Sequence, residues 1–381
     1  MKTCLLSFIL MGFTYVSAQV NFQVRQLAFE KGDSIVQLMD HPNGNEVLRI
    51  FANPSPTSAN RTFRGLIRER GDRVDLPLGE YVFCMDGSEL ITESLSQSRQ
   101  RAQVKSLRMK RYQINKTRLS MIDSRVDSLE GATAPLWRRW NGKFLVNEAC
   151  PNVDTYKGTT LLALRRDDRI EVQVYKAKAQ LPVYSGEVTI DQQGRFAGGP
   201  WLQSHILSPD VWMLASYWYG VDGKAKPWYA ALDTTGKMLW QRAGWDRLVD
   251  RFNPLGMILG LRDDRLLGLQ LDAINSRDGQ TIWTTPLYEL YNNDERNALA
   301  SFDPKDVKTL DIAPVLGGAY TAVLMQHDDG ASGGLLLLLD DQGKQVYRYP
   351  MEGPLRLARL QDRDTGFALV TEAGSWLFRP L

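Results

Sequence analysis

The sequence predicts a mainly β chain whose C-terminal two-thirds form a β-propeller, and two observations lead to this prediction. An acidic turn that ends in glycine recurs with an aromatic residue four positions later, in residues 232–240, 278–283 and 338–347. Glycines in these or more degraded settings lie 52, 42, 43, 64 and 31 residues apart, at positions Gly142, Gly194, Gly236, Gly279, Gly343 and Gly374. A spacing of about 40 to 50 residues is typical of four-stranded propeller blades.

The N-terminus has the pattern of a secretory signal peptide over residues 1–18. Lys2 precedes an apolar run from Leu5 to Val16, and the small residues Ser17 and Ala18 follow it. The run is too short for a stable membrane anchor. We therefore expect an exported protein of the periplasm or extracellular space, with no membrane-spanning segment.

Composition bounds the redox state and the partners. Without the signal peptide the chain keeps Cys84 and Cys150, which either form a disulfide in an oxidising compartment or stay as buried thiols. The 46 basic and 44 acidic residues nearly cancel. A general affinity for nucleic acid is therefore not expected.

Residues 19–90 are predicted to form a small β-sandwich-like domain. Alternating stretches such as 22–27 and 46–51 are separated by turn-forming segments at 41–45 and 53–56. The arrangement of Pro77, Gly79 and Tyr81 resembles the turn before the last strand in small β-sandwich modules of secreted bacterial proteins. That resemblance implies a fold and no activity.

Residues 91–132 are predicted to form a basic helical connector. From Thr92 to Glu130 there is no glycine or proline, and several apolar residues recur at helical spacing. Cations centred on Arg108, Lys110 and Arg111 are not interrupted by any acidic residue from 99 to 118. This pattern fits either a solvated helix face or a docking surface for an anionic partner.

The propeller is predicted to occupy residues 133–381, where about 40 to 45 residues per blade would give five or six blades. A longer interval between Tyr288 and Asp311 predicts a surface insertion in one blade. Aromatic residues are dense from Trp201 to Tyr229. Core packing is one interpretation of them, and the other is a ligand platform centred on Trp228, beside Lys224 and Lys226 in a turn-rich stretch.

The turn motif in residues 231–240, 271–283 and 338–347 resembles the blade motif of quinoprotein-type propellers. Families with this blade include dehydrogenases that hold pyrroloquinoline quinone and non-enzymatic scaffolds of outer-membrane protein assembly. The enzymes resemble longer eight-bladed rings with a calcium site, and many have adjacent cysteines, which this chain lacks. The resemblance therefore implies the scaffold type, with no cofactor and no metal, although the lipidated cysteine of those scaffolds is also missing.

The sequence thus predicts an exported, non-catalytic interaction scaffold of the cell envelope. It would bind a protein or glycan through propeller loops and the basic helix, with an anionic surface as a further partner of that helix. The alternative is a carbohydrate-active hydrolase with a carboxylate pair in the propeller channel, since such enzymes need two carboxylates about 5 to 10 Å apart.

Overall fold

The computed structural model of the chain is almost entirely β-structure. It describes residues 20–28, 33–41, 46–55, 58–69, 71–86, 89–97, 104–115, 117–128, 137–140, 143–146, 159–166, 169–176, 181–188, 194–196, 202–220, 223–249, 251–264, 266–298, 303–328 and 333–381. Every structural statement below concerns these residues.

The strands follow one another with short connections. In chain order they are β1 (Phe22–Ala28), β2 (Ile35–Asp40), β3 (Val47–Ser55), β4 (Ser58–Ile67), β5 (Arg73–Asp75), β6 (Tyr81–Asp86), β7 (Glu89–Gln97), β8 (Val104–Asn115), β9 (Arg118–Ser128), β10 (Trp137–Trp140), β11 (Lys143–Val146), β12 (Thr159–Arg166), β13 (Arg169–Lys176), β14 (Tyr184–Val188), β15 (Gly194–Phe196), β16 (Leu202–Ser208), β17 (Val211–Gly220), β18 (Ala225–Asp233), β19 (Met238–Ala243), β20 (Arg247–Leu248), β21 (Met257–Asp264), β22 (Gly268–Asn275), β23 (Thr281–Pro286), β24 (Val307–Val315), β25 (Tyr320–His327), β26 (Gly334–Leu339), β27 (Gln345–Pro350), β28 (Ala358–Arg363), β29 (Gly366–Thr371) and β30 (Gly374–Pro380). A short helix α1 (Asn293–Ala298) lies between two 3-10 turns, Leu287–Leu290 and Pro304–Asp306.

These strands form successive antiparallel meanders, which we number as blades. Blade 1 is β2–β5, blade 2 is β6–β9, blade 3 is β12–β14, blade 4 is β15–β19, blade 5 is β20–β23, blade 6 is β24–β27, and blade 7 is β28–β30 with β1 at its edge; β10 and β11 form a separate hairpin. The first strands of neighbouring blades touch, β24 with β28 and β28 with β2. Meanders that meet along their first strands define a β-propeller, with those strands at the centre.

The two ends of the chain close the ring. Strand β1 pairs antiparallel with β30, from Phe22 opposite Pro380 to Ala28 opposite Gly374. The Phe22 ring makes edge contacts with Tyr347 of blade 6 and Phe367 of blade 7, with centroids 4.7 and 5.6 Å apart. The N-terminal strand is therefore the outer strand of the last blade.

The core lies between neighbouring blades because the middle strands are apolar on both faces. On β17, Trp212 and Leu214 pack toward blade 3, while Val211 and Met213 pack toward blade 5. Core packing, one of the two interpretations of the aromatic-rich stretch, is therefore confirmed at Trp212, and residues 211–214 are all buried.

The recurring turn motif also forms contacts between neighbouring blades. Each turn glycine has a positive φ and lies against an aromatic ring of the preceding blade, in the pairs Tyr184–Gly236, Trp240–Gly279 and Trp283–Gly343. The turn aspartates, such as Asp233 and Asp340, accept hydrogen bonds from backbone N–H groups two and four residues on. Glycine therefore supplies both the left-handed turn and the space for the neighbouring ring.

The predicted helical connector is wrong. Residues 91–132 instead contribute β7, β8 and β9 of blade 2. The pairing of β8 with β9 shifts register between Arg111 and Tyr112, so that Ile122 is an extra residue on β9. A bulge of this kind breaks the two-residue alternation, and apolar residues then recur at three and four positions as on a helix.

The N-terminal residues also do not form a separate sandwich-like domain. Residues 19–90 supply β1 of blade 7, all of blade 1 and the first strands of blade 2, so the ring extends beyond residues 133–381. The turn motif is absent from blades 1 and 2, which is why the repeat did not reveal them. The predicted signal peptide and Cys150 lie outside the described residues, and Cys84 is on β6.

Candidate functional site

Trp228, the predicted ligand platform, is buried in the core. Its side chain is 0% exposed, packs between blades 3 and 4, and donates its indole N–H to Gln241 Oε1 at 3.1 Å. A ring enclosed on all sides cannot stack on a ligand at the surface. The structure therefore agrees with the core-packing interpretation of this tryptophan.

Lys224 and Lys226 remain exposed. They lie on either side of Ala225, the first residue of β18 in blade 4. The indole of Trp228 is turned into the core, so these three residues do not form a common surface.

The three cations of the predicted connector all lie on strand β8, and each has different surroundings. Lys110 forms an ion pair with Glu80, which is 4% exposed and also accepts a hydrogen bond from Thr92 Oγ1 at 2.6 Å. Arg111 pairs with Glu89 at 3.2 Å, and Arg108 is exposed. The hydrogen bond to Glu80 raises the pKa of Lys110. Two of the three charges are thus already neutralised within blade 2.

Charged residues from four consecutive blades meet at the centre of the ring, and we call Asp40, Arg251, Asp311 and Arg359 the central cluster. Arg251 Nη1 lies 2.7 Å from Asp40 Oδ2, and its Nη2 lies 2.8 Å from Asp311 Oδ2. Arg359 donates from Nε and Nη2 to the two oxygens of Asp40, at 3.0 and 2.5 Å. One arginine of blade 5 therefore reaches blades 6 and 1, across the centre.

The hydrolase alternative requires a carboxylate pair, and the two carboxylates of the central cluster, Asp40 and Asp311, are both ion-paired with Arg251. Burial by itself would raise the pKa of Asp40, yet the hydrogen bonds from Arg359 and the charges of both arginines outweigh it and lower the pKa. A general acid needs a raised pKa so that it stays protonated near neutral pH. The geometry therefore favours a role for this carboxylate in holding blades together.

Further contacts from β28 close the seam between the last and first blades. Gln361 donates to the Glu46 carbonyl at 3.2 Å, and Arg363 pairs with Glu69. Arg359, Gln361 and Arg363 are alternate residues, so one side of β28 faces blade 1.

We use "AB face" for the side of the ring that carries the turns between the first and second strands of the blades. The AB connection of blade 5 presents exposed apolar side chains in the 252–255 turn: Phe252 is 42% exposed and Leu255 is 67% exposed. Arg251, immediately before it, is fixed in the central cluster.

Asn253 anchors this turn between neighbouring blades. Asn253 is 0% exposed, its backbone N–H donates to the Leu207 carbonyl of blade 4 at 2.7 Å, and its side-chain Oδ1 accepts from the backbone N–H of Leu255 at 2.8 Å. A side chain on Gly318 of blade 6 would lie 2.5 Å from the same Oδ1. Asparagine followed by proline and, three positions on, glycine is a typical turn sequence. The apolar residues are thus displayed on a turn with little freedom.

The described residues of the predicted insertion between Tyr288 and Asp311 pack against the ring. Asn292 and Glu295 form a reciprocal pair, each side chain accepting from the backbone N–H of the other, at 2.9 and 2.8 Å. Leu287 is fully buried, and Arg348 of blade 6 pairs with Glu295 at 3.3 Å. The insertion is therefore held to blades 5 and 6.

Sequence reasoning missed the central cluster because its members are widely separated along the chain. The 252–255 turn did carry a local signal, the Asn253-Pro254-Leu255-Gly256 sequence. Among the described residues, no group of three or more histidine, cysteine, aspartate or glutamate side chains has a metal-binding arrangement. Within the same residues, no helix has both the length and the apolar character needed to cross a bilayer.

The fold defines the class of the protein as a β-propeller closed by its N-terminal strand. No protein-family model matches the chain. No curated protein matches it either.

Solved propellers resemble the chain at low identity. The β-propeller domain of the trilobed protease from Pyrococcus furiosus is 9% identical, with a TM-score of 0.47 and coverage of 92% of this chain and 96% of that one. The WD40 domain of Toxoplasma gondii coronin is 10% identical, with a TM-score of 0.45 and coverage of 96% and 89%. Pyrococcus horikoshii acylaminoacyl peptidase is 9% identical, with a TM-score of 0.46 and coverage of 92% and 53%. The assignment of the fold rests on the strand topology given above.

Proposed function

We propose that this propeller is an exported, non-catalytic interaction scaffold of the cell envelope that binds a protein partner on its AB face. The observation that carries the proposal is the 252–255 turn. Phe252 and Leu255 are held on one anchored turn, so a protein partner could bury both side chains without a large loss of conformational freedom.

The central cluster supports a scaffold over a hydrolase. Asp40 and Asp311 are both bound by Arg251, and the pKa of Asp40 is lowered. Ion pairs between four blades make the ring rigid around its centre. A rigid ring keeps its loops in place for recognition.

Two features favour a protein over a glycan as the partner. The Trp228 ring, the candidate for stacking on sugars, is enclosed in the core. The exposed side chains of the 252–255 turn include an aliphatic one, Leu255, which suits a complementary apolar pocket.

Mutation of the turn tests the scaffold proposal. Tagged wild-type protein should recover a discrete protein from envelope extract, and Leu255→Asp should abolish the recovery. Leu266→Asp is the matched control, because Leu266 is 81% exposed and lies at the opposite end of β21. Recovery of the same partner by both variants, or of none by the wild type at several salt concentrations, would contradict the proposal.

The export part of the proposal rests on the sequence pattern of residues 1–18 and is tested separately. Expression in the source cells followed by fractionation should give a mature chain outside the cytoplasm that begins near Gln19. A cytoplasmic chain that retains Met1 would refute export and leave the binding proposal to be judged by the mutants.

A further inference from the structure

A groove lies beside the 252–255 turn on the AB face, between blades 6 and 7. It has a volume of about 660 Å³ and is lined by Leu316, Gly317, Asp362, Arg363, Asp364, Thr365, Gly366 and Pro380. A side chain on Gly318, the residue after Gly317 of the groove wall, would lie 3.1 Å from the Pro254 ring, so the turn packs beside the loop that forms this wall. A partner seated on Leu255 would therefore extend naturally over the groove.

The walls of the groove are fixed by hydrogen bonds. The Asp362 carboxylate accepts from the backbone N–H of Leu316 at 2.5 Å and of Gly317 at 2.9 Å. These bonds hold Leu316 at a φ of 55°, in the left-handed region that a leucine rarely adopts. The groove is thus pre-formed, and binding would require little rearrangement of its walls.

The charges that line the groove do not cancel. The charge of Arg363 is neutralised by its ion pair with Glu69 of blade 1, and the two side chains are 14% and 20% exposed. Asp362 is bound only to the two backbone N–H groups among the described residues. Asp364 is exposed and forms no ion pair with any residue in the described ranges. The groove therefore has an excess of negative charge beside an apolar turn.

We propose that the groove receives a lysine or arginine side chain of the partner, flanked by apolar residues that pack on Phe252 and Leu255. The inference rests on the proposed scaffold function and names the chemistry of the partner. A cation fits the uncompensated Asp364, and its aliphatic stem fits Leu316 and Pro380 at the groove wall. Complementary charge of this kind selects the partner and speeds its association.

Peptide display tests the chemistry without knowledge of the natural partner. A random peptide library selected on immobilised wild-type protein should yield a consensus that places lysine or arginine next to apolar residues. The affinity of a selected peptide should fall about fivefold for Asp364→Asn, as expected for a partly exposed ion pair. A rise in salt concentration should weaken peptide binding more for the wild type than for Asp364→Asn.

The matched control is Asp341→Asn, because Asp341 is also exposed and lies in a turn of blade 6 on the same side of the ring. This variant should bind the peptide as the wild type does. Asp364→Lys should lose the selected peptide and should bind the version in which its cation is replaced by glutamate. Thermal unfolding of each variant checks that the fold is unchanged.

Three results would overturn the inference: no enriched peptide, a consensus without a cation, or equal affinity for the wild type and Asp364→Asn. The scaffold proposal is judged by a different result, the recovery of an envelope partner. If Leu255→Asp loses that partner while Asp364→Lys keeps it, the scaffold stands and the groove does not take a cation. If the wild type recovers nothing, the scaffold proposal fails.

Discussion

Replacement of a turn glycine should destabilise the ring by more than the backbone strain alone. Gly343 has a φ of 74°, and a Cβ there would lie 2.7 Å from Cε3 of Trp283 and 2.7 Å from Oγ1 of Thr285. The left-handed conformation costs a non-glycine residue about 1 to 2 kcal/mol. Overpacking against the ring adds about 1 to 3 kcal/mol. Gly343→Ala should therefore lower the free energy of unfolding by about 2 to 5 kcal/mol.

A second glycine separates the two contributions. Gly223 has a similar φ of 68°, but a Cβ at this position would meet no described heavy atom within 4 Å, so Gly223→Ala should lose only about 1 to 2 kcal/mol. Urea unfolding followed by tryptophan fluorescence measures both variants. In the Trp283→Leu background, the stability that Gly343→Ala loses beyond the loss for Gly223→Ala should be smaller. Equal losses for the two glycine variants would refute the idea that the ring of one blade needs the glycine of the next.

Three further predictions concern closure of the ring and blade 2. Phe22→Ala should lower the free energy of unfolding by about 3 kcal/mol and expose β1 to protease before global unfolding. Gln23→Ala, at a less buried position of the same strand, should leave the digestion pattern unchanged. Asp40→Asn should cost about 1 to 3 kcal/mol at neutral pH. Because the folded pKa of Asp40 is lowered, its contribution is fully present above the unfolded value of about 4 and is lost as the pH falls through the folded value. A difference between wild type and variant that does not shrink as the pH is lowered from about 7 would contradict this assignment. Glu80→Ala should lower the free energy of unfolding by about 3 kcal/mol because it leaves Lys110 and Thr92 without their buried partner. The control Arg108→Ala should change it by no more than about 0.5 kcal/mol. Equal urea midpoints for the two variants would argue against a structural role for Glu80.

The turn motif was readable from the sequence because its chemistry is local. Asp233 and Asp340 bond to backbone groups within four residues, and Gly236 and Gly343 occupy positive φ. The strands on either side alternate or are continuously apolar as their burial requires. These features need no knowledge of distant residues.

The segment with Arg108 and Lys110 was predicted as a helix because its residues have favourable helix propensities. Pairing with neighbouring strands overrode those propensities, and the bulge at Ile122 disguised the alternation. Trp228 illustrates the same limit for a single side chain. Its turn-rich neighbourhood indicated exposure, and only packing between blades 3 and 4 buried it.

The sequence by itself determined that this chain builds hairpins with glycine turns and aromatic contacts, repeated at the interval of a propeller blade. Tertiary structure decided how the repeats close. Phe22 lies opposite Pro380, and Arg251 forms an ion pair with Asp40. The residues of each pair are so far apart along the chain that no local sequence pattern indicates their contact. The physical reason is that turn and strand preferences act over a few residues, whereas ring closure and the central ion pairs depend on the summed geometry of all the blades.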